Sequence, residues 1–504
     1  MNARTPVQNS VRNSAQALLF KAAGAALLVA LAGCNVGPKY QRASMPAPPA
    51  YKESQPGSPE AQATGWKQAN PQDTMLRGKW WEIFGDSELN QLEESLLIND
   101  QNLKQYFQNY MAARAVVRSE HASLFPSLTA GPSYSREGTG SGSTAKLESS
   151  SGSTSTELAG SVSWEPDLWG SVRNTLRADQ NAAQVSAADL ANETLSEQSS
   201  LAQYYFELRG EDALQQVYDN TAASYKQYLE LTKTLRQSGI DTDEDVAEAE
   251  TNLRSAEASA VAVGITRAQY EHAIALLLGK PASSFSMPVR PLDAKLPYIP
   301  TGVPSQLLER RPDIAAAERT MAEANAYIGV QKAAYYPTIS LSGSAGTQSS
   351  DITQLLGWPA RFWSLGASAS ETLLDWGQRK ANVQNYQAQY NADVASYRQT
   401  VLTAFKEVED YLVSCRMLSE QIQKQQLAVD SAQRYQDIAT TRYKSGVDTY
   451  LNVLTAQNTL LTNRQSLATL QMNQMVSAVE LIAALGGGWD TSQLPTVSEV
   501  TKKP

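Results

Sequence analysis

Two hydrophobic periods alternate along this chain. Leu89, Leu92, Leu96 and Leu103 are three, four and seven residues apart, the stripe of a helix with one buried face. Asp86 or Ser87 can cap that helix and Pro126 ends it, so a helix is predicted over 86–124. The period then changes to two. Leu158, Gly160, Val162 and Trp164 alternate with Ala159, Ser161, Ser163 and Glu165, which predicts a strand with one apolar or small face. Residues 127–136 form a weaker strand, interrupted by Gly131-Pro132, and 138–156 is a solvated Gly/Ser/Thr-rich loop. Ile339, Leu341, Gly343 and Ala345, then Trp363, Leu365, Ala367 and Ala369, predict two more strands. Each strand is ~9–12 residues, the length of a tilted membrane-spanning β-strand.

The stretches after the strands are uniformly helical. Gly170 to Gln237 contains no proline and only Gly210 as a weak point, and Gly377 to Lys444 contains neither Pro nor an internal Gly. A continuous helix of either length spans ~100 Å. Ser-Gly at 238–239 and 445–446 breaks each rod, because glycine supplies the left-handed cap. Return helices are predicted over 243–278 and 450–485. At ~54 Å, a return helix laid end to end with the ~58 Å helix before the strands matches one rod. Each half of the chain therefore supplies an unbroken rod, a composite rod and a β-hairpin.

The halves are copies of one another. Arg236-Gln237-Ser238-Gly239-Ile240-Asp241-Thr242 returns as Tyr443-Lys444-Ser445-Gly446-Val447-Asp448-Thr449, a shift of 446 − 239 = 207. The same shift carries Trp169-Gly170 onto Trp376-Gly377. Upstream, Phe125-Pro126-Ser127-Leu128 returns as Tyr336-Pro337-Thr338-Ile339, a shift of 336 − 125 = 211. Such a repeat fits a tube or scaffold better than a single pocket. Two hairpins give four strands, too few to close a barrel, and lipid tolerates no open edge. The chain must associate: two copies give eight strands, a barrel filled by its own side chains, and three give twelve, enough to leave a lumen, so a trimeric conduit is the simplest answer with a hole.

The N-terminus carries an address. Residues 1–21 hold Arg4, Arg12 and Lys21 and no acid, and 22–33 are apolar or small. That is a secretory signal, too short to be a transmembrane helix. Leu31-Ala32-Gly33-Cys34 resembles a bacterial lipobox, which implies lipidation of Cys34. Asn35 follows where an Asp usually retains a lipoprotein in the inner membrane, so outer-membrane sorting is implied. Residues 35–75, rich in Pro, Ala, Ser and Gln, are expected to be a tether.

Composition argues against other classes. The net charge of −9 is wrong for a nucleic-acid partner. The two histidines, His121 and His272, are far apart, and no phosphate loop or cysteine cluster appears, so neither catalysis nor a bound metal is expected. Cys415 is expected to be a packed apolar residue. The acidic run Asp241, Asp243, Glu244, Asp245, Glu248 and Glu250 suits a helix start and equally an electronegative pore ring. Trp169 and Trp376 are expected at a membrane interface.

Taken together, Cys34-Asn35-Val36-Gly37-Pro38-Lys39-Tyr40-Gln41-Arg42, Trp80-Trp81-x-x-Phe84-Gly85-Asp86, the two Trp-Gly corners and Leu308-Glu309-Arg310-Arg311-Pro312-Asp313-Ile314 resemble the TolC-like outer-membrane factors of tripartite efflux pumps, in the lipidated NodT-type branch. The likeness covers nearly the whole mature chain. It implies a mainly α protein with membrane β: a homotrimer with a twelve-stranded outer-membrane barrel and a long periplasmic helical barrel. The implied segments are a signal peptide (1–33), a lipidated tether and equatorial segment (34–78), a first repeat (79–280), an inter-repeat equatorial segment (281–305), a second repeat (306–488) and a tail (489–504). The implied role is a passive exit duct in the outer membrane of a Gram-negative bacterium. It would carry drugs, toxic small molecules or metal ions, without cofactor beyond the lipid. The implied partners are a periplasmic adaptor and an inner-membrane transporter of the resistance–nodulation–division type. A protein-secretion duct and a structural envelope lipoprotein are the alternatives. The adaptor is expected at the tips Ser238, Gly239, Ile240, Ser445, Gly446 and Val447. The constriction is expected at Leu451 and Thr455, with Asp241, Asp243, Asp245 and Asp448 close by. Thr455 falls where relatives often have Asp. Arg310-Arg311-Pro312-Asp313 is expected to start a helix, since proline suits the first turn.

Overall fold

The computed structural model describes residues 35–53, 78–137, 153–293, 296–300 and 304–502. The signal segment, Cys34 and most of the 138–156 loop lie outside the described residues. The first repeat contains α1 (Ser87–Asn99), α2 (Gln101–Ala122), β1 (Ser127–Glu137), β2 (Ser153–Trp164), α3 (Ser171–Gln237) and α4 (Asp243–Leu277). The second contains α5 (Pro312–Ala333), β3 (Thr338–Ser349), β4 (Arg361–Ser370), α6 (Gln378–Lys444) and α7 (Tyr450–Ala484), and a short α8 (Val497–Thr501) follows. The rods α3 and α6 are each 67 residues long. Among the described residues, no helix is long and apolar enough to cross a membrane.

The four strands form one antiparallel sheet in the order β1-β2-β3-β4. Its register tests the repeat directly. Ser127 faces Ser163 in the first hairpin; shifts of 211 and 207 carry that pair onto Thr338 and Ser370, which face each other in the second. β1 continues through Gly131 and Pro132 without a break, pairing Pro132 with Leu158, because proline's fixed φ is compatible with extended backbone. β2 begins at Ser153, inside the segment expected to be loop.

The helix expected over 86–124 is two helices. Asp86 caps the first, accepting from Glu88 N and Leu89 N. Asp100 leaves helical geometry at φ −56°, ψ 133°, and its carboxylate accepts from Leu103 N at 2.7 Å to cap the second. The break lies where α4 ends: a Cβ on Gly279 would be 2.7 Å from the Asn99 carbonyl oxygen. The second repeat has the same joint, with Gly486 against the Arg310 carbonyl. α2 and α4 both pack on α3, and α5 and α7 both pack on α6, so each composite rod exists as expected. α3 also packs on α5 and α7, which joins the repeats. Gly210 does not weaken α3. A Cβ there would come within 2.5 Å of Met472 Sδ, so glycine lets α7 approach closely.

The main core surrounds the α1–α2 joint. Leu89, Leu96 and Leu103, the predicted stripe, are buried with Trp80, Trp81, Tyr205 and Phe206. Cys415 is packed as expected, beside Tyr51, Leu307 and Val408, and burial pushes its thiol pKa up to about 11.

The described part of the expected tether, 35–53, is not a free tether. The Tyr40 hydroxyl donates to Glu318 Oε1 at 2.6 Å, Asn325 donates to the Pro38 carbonyl, and Arg42 donates to the Leu308 carbonyl. Lys52 N and Glu53 N donate to Glu409 at 2.8 and 3.0 Å, and Tyr51 is buried. Two tyrosines and paired polar groups thus bind the strap to α5 and α6 despite its loop-like composition.

Arg311 holds the start of α5. Pro312 occupies its first turn, as expected. The Arg311 guanidinium donates to Asp313 at 3.0 and 2.7 Å, to Glu407 at 2.7 Å and to the Ala484 carbonyl at 3.1 Å. Burial alone lowers its pKa, but Asp313 and then Glu407 more than reverse this, so it stays charged. Arg311→Met should cost ~2 kcal/mol, the scale of a hydrogen bond to a charged group, since Asp313 and Glu407 are left partly exposed. Thermal unfolding followed by circular dichroism checks this; an unchanged midpoint contradicts the assigned role.

Candidate functional site

Two regions of the chain are candidate sites: the far end of the rods and the polar face of the sheet. At the far end, both rods close with the same turn. Gly239 has φ 77°, its N–H donates to the Arg236 carbonyl, and Ile240 N donates to the Leu235 carbonyl, both at 2.9 Å. In the second repeat Gly446 has φ 71°, with bonds to Tyr443 O at 2.9 Å and from Val447 N to Arg442 O at 3.0 Å. This pair of bonds satisfies the last carbonyls of a helix and needs a residue that tolerates positive φ. Ser238 and Ser445 turn their hydroxyls back onto the rods, donating to the carbonyls of Thr234 and Thr441. Ile240 and Val447 are left exposed at the two tips.

Asp241, Asp243, Asp245 and Asp448 each have a partner. Thr242 and Asp245 form a reciprocal cap at the start of α4, so the helix-start reading of the acidic run is correct at Asp245. Asp243 pairs with Arg236 at 2.5 Å. Asp448 pairs with Arg442 at 3.2 Å and accepts from Thr449 N and the Asn452 side chain. Hydrogen bonding from Asn452 holds its carboxyl below the usual carboxylate range against an opposing desolvation, with Thr449 and Arg442 assisting. Asp241 accepts from the hydroxyl of Tyr443, on the other rod. Leu451 and Thr455 lie on one exposed stripe of α7 with Thr459 and Thr462. The hydroxyls of this stripe donate to carbonyls one turn back, 2.9 Å for Thr455 to Leu451.

Beneath the tips lies a tyrosine layer that the acidic run concealed. Tyr225, Tyr443 and Tyr450 are buried with Leu229, Leu253 and Val453, drawn from both repeats. Tyr225 donates to Asn458 at 3.0 Å, and the Tyr443 hydroxyl also meets Thr232 at 3.3 Å. Burial, then the bond to Asp241, raises the Tyr443 pKa far above the ordinary tyrosine value, so the phenol stays neutral. The spacing of Tyr225, Leu229 and Thr232, a helical stripe, was the available signal.

The sheet separates two chemistries by face. Side chains alternate along a strand, so the register places Leu128, Val162, Leu341, Leu365 and Trp363 on one face. The opposite face is a ladder of hydroxyls. Ser340 and Ser368 meet at 2.7 Å, and Ser344 and Ser364 at 2.8 Å. An apolar outward face and a polar interior are the pattern of a membrane barrel.

The corners between strands and rods differ. Trp169 is partly buried and stacks on Tyr336 with ring centroids 4.8 Å apart, and its Nε1 donates to the Pro337 carbonyl at 2.8 Å. Trp376 is fully exposed. Asn35, the first described residue, sits at the Trp169 corner, where its Oδ1 accepts from Asn174 at 3.0 Å. His121 is beside Phe125, and among the described residues no group of three His, Cys, Asp or Glu could hold a metal.

Long paired rods ending in twin turns, surmounted by part of a membrane barrel, define an envelope-spanning duct component. The comparisons agree. Residues 92–280 and 303–487 match the profile of the outer membrane efflux protein family. The toluene efflux pump outer membrane protein TtgC of Pseudomonas putida is 31% identical over 466 residues, covering 91% of this chain and 93% of that protein. The cation efflux system protein CusC of Escherichia coli is 30% identical, covering 92% and 97%. The solved outer-membrane channel OprN superposes with a TM-score of 0.81 at 29% identity, covering 90% of this chain and all of that one. The chain belongs to the outer membrane efflux protein family, and it is the outer-membrane channel component of a tripartite efflux system.

Tyr443→Phe removes one hydroxyl and keeps the ring. It should cost about 1 kcal/mol and speed amide exchange around Asp241 and Thr242, measured by hydrogen–deuterium exchange; unchanged exchange there contradicts the link. Asp448, with a depressed folded pKa, contributes stability that is complete above its ordinary value of 3.8 and is lost as pH falls through the lower folded one. Exchange at the second tip should therefore rise only below the ordinary carboxylate range, and Asp448→Asn should abolish that acid-dependent step.

Proposed function

We propose that three copies form a passive exit duct, shut at rest near Leu451. An inner-membrane transporter of the resistance–nodulation–division type feeds it through a periplasmic adaptor. The observation that carries this reading is the pairing of an amphipathic, open-edged sheet with rods whose far ends are internally tied yet expose Ile240, Val447 and Leu451. The sheet needs neighbours to close, and the exposed tips need a docking partner. Adaptor hairpins seat on Ser238-Gly239-Ile240 and Ser445-Gly446-Val447. Their docking competes with the Asp241–Tyr443 link and opens the end.

Leu451 supplies an apolar ring where three copies converge, with Thr455 one turn behind it. Asp241, Asp243, Asp245 and Asp448 surround that ring and make the mouth attractive to cations, because like charges in a narrow, low-dielectric passage focus potential. Their pairing with Arg236, Arg442 and Tyr443 moderates the field. The strand lining is hydroxyl-rich, with little chemistry to select a cargo. Drugs, toxic small molecules and metal ions are therefore sorted by the transporter. The efflux names of the relatives favour this role over protein secretion.

Cys34 carries the lipid in this reading. The support is the lipobox Leu31-Ala32-Gly33-Cys34, together with the next residue, Asn35, which is bound to Asn174 at the boundary between sheet and rods.

Leu451→Ala should raise single-channel conductance in planar bilayers and sensitise cells to vancomycin. Unchanged conductance, with an increase from a substitution near the sheet, moves the gate elsewhere. Converting Asp241 and Asp448 to Asn should weaken cation selectivity. Wild-type protein should incorporate labelled palmitate and Cys34→Ser should not; a wild-type protein without label defeats the lipid assignment.

A further inference from the structure

The sheet sorts its charged residues by sign. Among the described residues, β1 carries Arg136 and Glu137, β2 carries Glu157, β4 begins with Arg361, and β3 has no charge. Side chains alternate along a strand, so Arg136 shares the face of Leu128, and Arg361 that of Trp363. Both arginines are therefore on the apolar, outward face. Glu137 and Glu157 fall on the opposite face, with the hydroxyl ladder. All four stand toward the end of the sheet away from the rods, since β2 and β4 lead into the rods from Trp164 and Ser370.

The depth of the arginines matches a membrane. Leu128 and Arg136 are eight positions apart, as are Ala369 and Arg361. Each run covers ~27 Å along its strand, or ~21 Å of height at a tilt of about 40°, close to the ~25 Å apolar band of an outer-membrane barrel. Both arginines thus sit at the outer boundary of the hydrocarbon. Aromatic rings flank them, as they do at membrane interfaces. Tyr134 and Trp363 lie two residues nearer the rods on the same face, 68% and 75% exposed. The Arg361 guanidinium is 4.0 Å from the ring centroid of Trp358.

Solvation does not account for this sorting. On a lipid-facing strand a carboxylate costs less than a guanidinium, so hydrocarbon alone would favour the acids outward. Both arginines are exposed, and neither side chain has a hydrogen bond or ion pair among the described residues. The one carboxylate of the β3–β4 loop, Asp351, accepts from Thr353. We propose that Arg136 and Arg361 bind the phosphates of a phosphorylated, acylated lipid of the outer leaflet. A guanidinium offers phosphate oxygens two parallel N–H···O bonds. Stacking on Trp358 covers one face of Arg361 and leaves its N–H edge free. The acyl chains lie along Leu128, Leu365 and Trp363. Glu137 and Glu157, on the far face, leave the phosphate layer free of repelling carboxylates. The site needs only placement in the outer membrane and is independent of the gate at Leu451.

The test uses the full-length protein, extracted in detergent and freed of native lipid. Two probes share the same acyl chains: lipid A with its phosphates, and lipid A from which they have been removed. Native mass spectrometry counts the lipid retained across a titration. One arginine near an anionic lipid surface is worth about five-fold in affinity, and two about thirty-fold. Wild-type protein should therefore bind the phosphorylated lipid about thirty-fold more tightly than the other. Arg136→Gln and Arg361→Gln should each weaken that binding about five-fold, and the double variant should bind both lipids alike. Glu137→Gln and Glu157→Gln should leave the preference unchanged. Equal affinity of the wild type for the two lipids overturns the proposal without any variant. A double variant that keeps the preference, or glutamate variants that lose it, overturns the assignment to these arginines.

Two further arms fix the source of the anion and the cause of a loss. Millimolar inorganic phosphate should displace little of the phosphorylated lipid, because it lacks the acyl chains; full displacement means a site for free anions and overturns the lipid assignment. Arg136→Lys with Arg361→Lys keeps both charges and should bind between the wild type and the glutamine pair. A lysine pair no better than the glutamine pair shows that the loss comes from an altered rim rather than from charge, and overturns the assignment.

Discussion

Hydrocarbon offers no hydrogen bonds, so every backbone N–H and C=O within β1–β4 must find a partner in protein. The rest of the architecture answers to that constraint. A four-stranded sheet satisfies its inner strands and leaves β1 and β4 with one bare edge each. A chain that carries such a sheet cannot be finished by folding alone. The duplicated hairpin solves half of the problem internally, since β2 and β3 join the two repeats over nine paired positions from Thr156 to Trp164. The membrane thus sets a demand that reaches beyond one protomer.

The rods have a different physical problem. A surface-like helix of such length cannot rely on one broad core. α3 is held at the tyrosine layer beneath the tips and at the tryptophan-rich core, α6 at the same tyrosine layer and at the Arg311 cluster of the second joint. Between stations the contacts involve small residues such as Ala183, Ala188 and Ala432, which let helices lie close. The end-to-end joints fall at the equator, where Gly279 and Gly486 meet Asn99 and Arg310. The breaks in the composite rods are therefore placed where the core is thickest.

Much of this was legible in the residue pattern. The rods, the Ser-Gly turns and the strand spacing follow from local chemistry: absence of Pro and Gly, a left-handed cap, a period of two. The break at Asp100 was hidden, because an aspartate within an apolar stripe looks like one more solvated position. It becomes a cap only because α4 arrives there. The strap at 35–53 was hidden by its composition; Tyr40 and Tyr51 bind it, and neither has a periodic context. At the tips, acids were readable as charge, but the phenol that donates to Asp241 lies 202 positions away in the chain. Contacts of that kind depend on how the two repeats face each other, which no local pattern encodes.

The strap has a consequence for the order of events during folding. Its partners are distant: Tyr40 reaches Glu318 across 278 positions, and Arg42 reaches Tyr397 across 355. Closing loops of that size costs entropy before any contact repays it, and non-local pairing slows folding. Tyr40 and Arg42 must therefore wait for the second repeat to form its own helices. Until then the strap has only the first-repeat contacts of Asn35 and Val36. Docking of the strap registers that both halves are present, and a chain truncated within the second repeat has no seat for Tyr40, Arg42 or Tyr51.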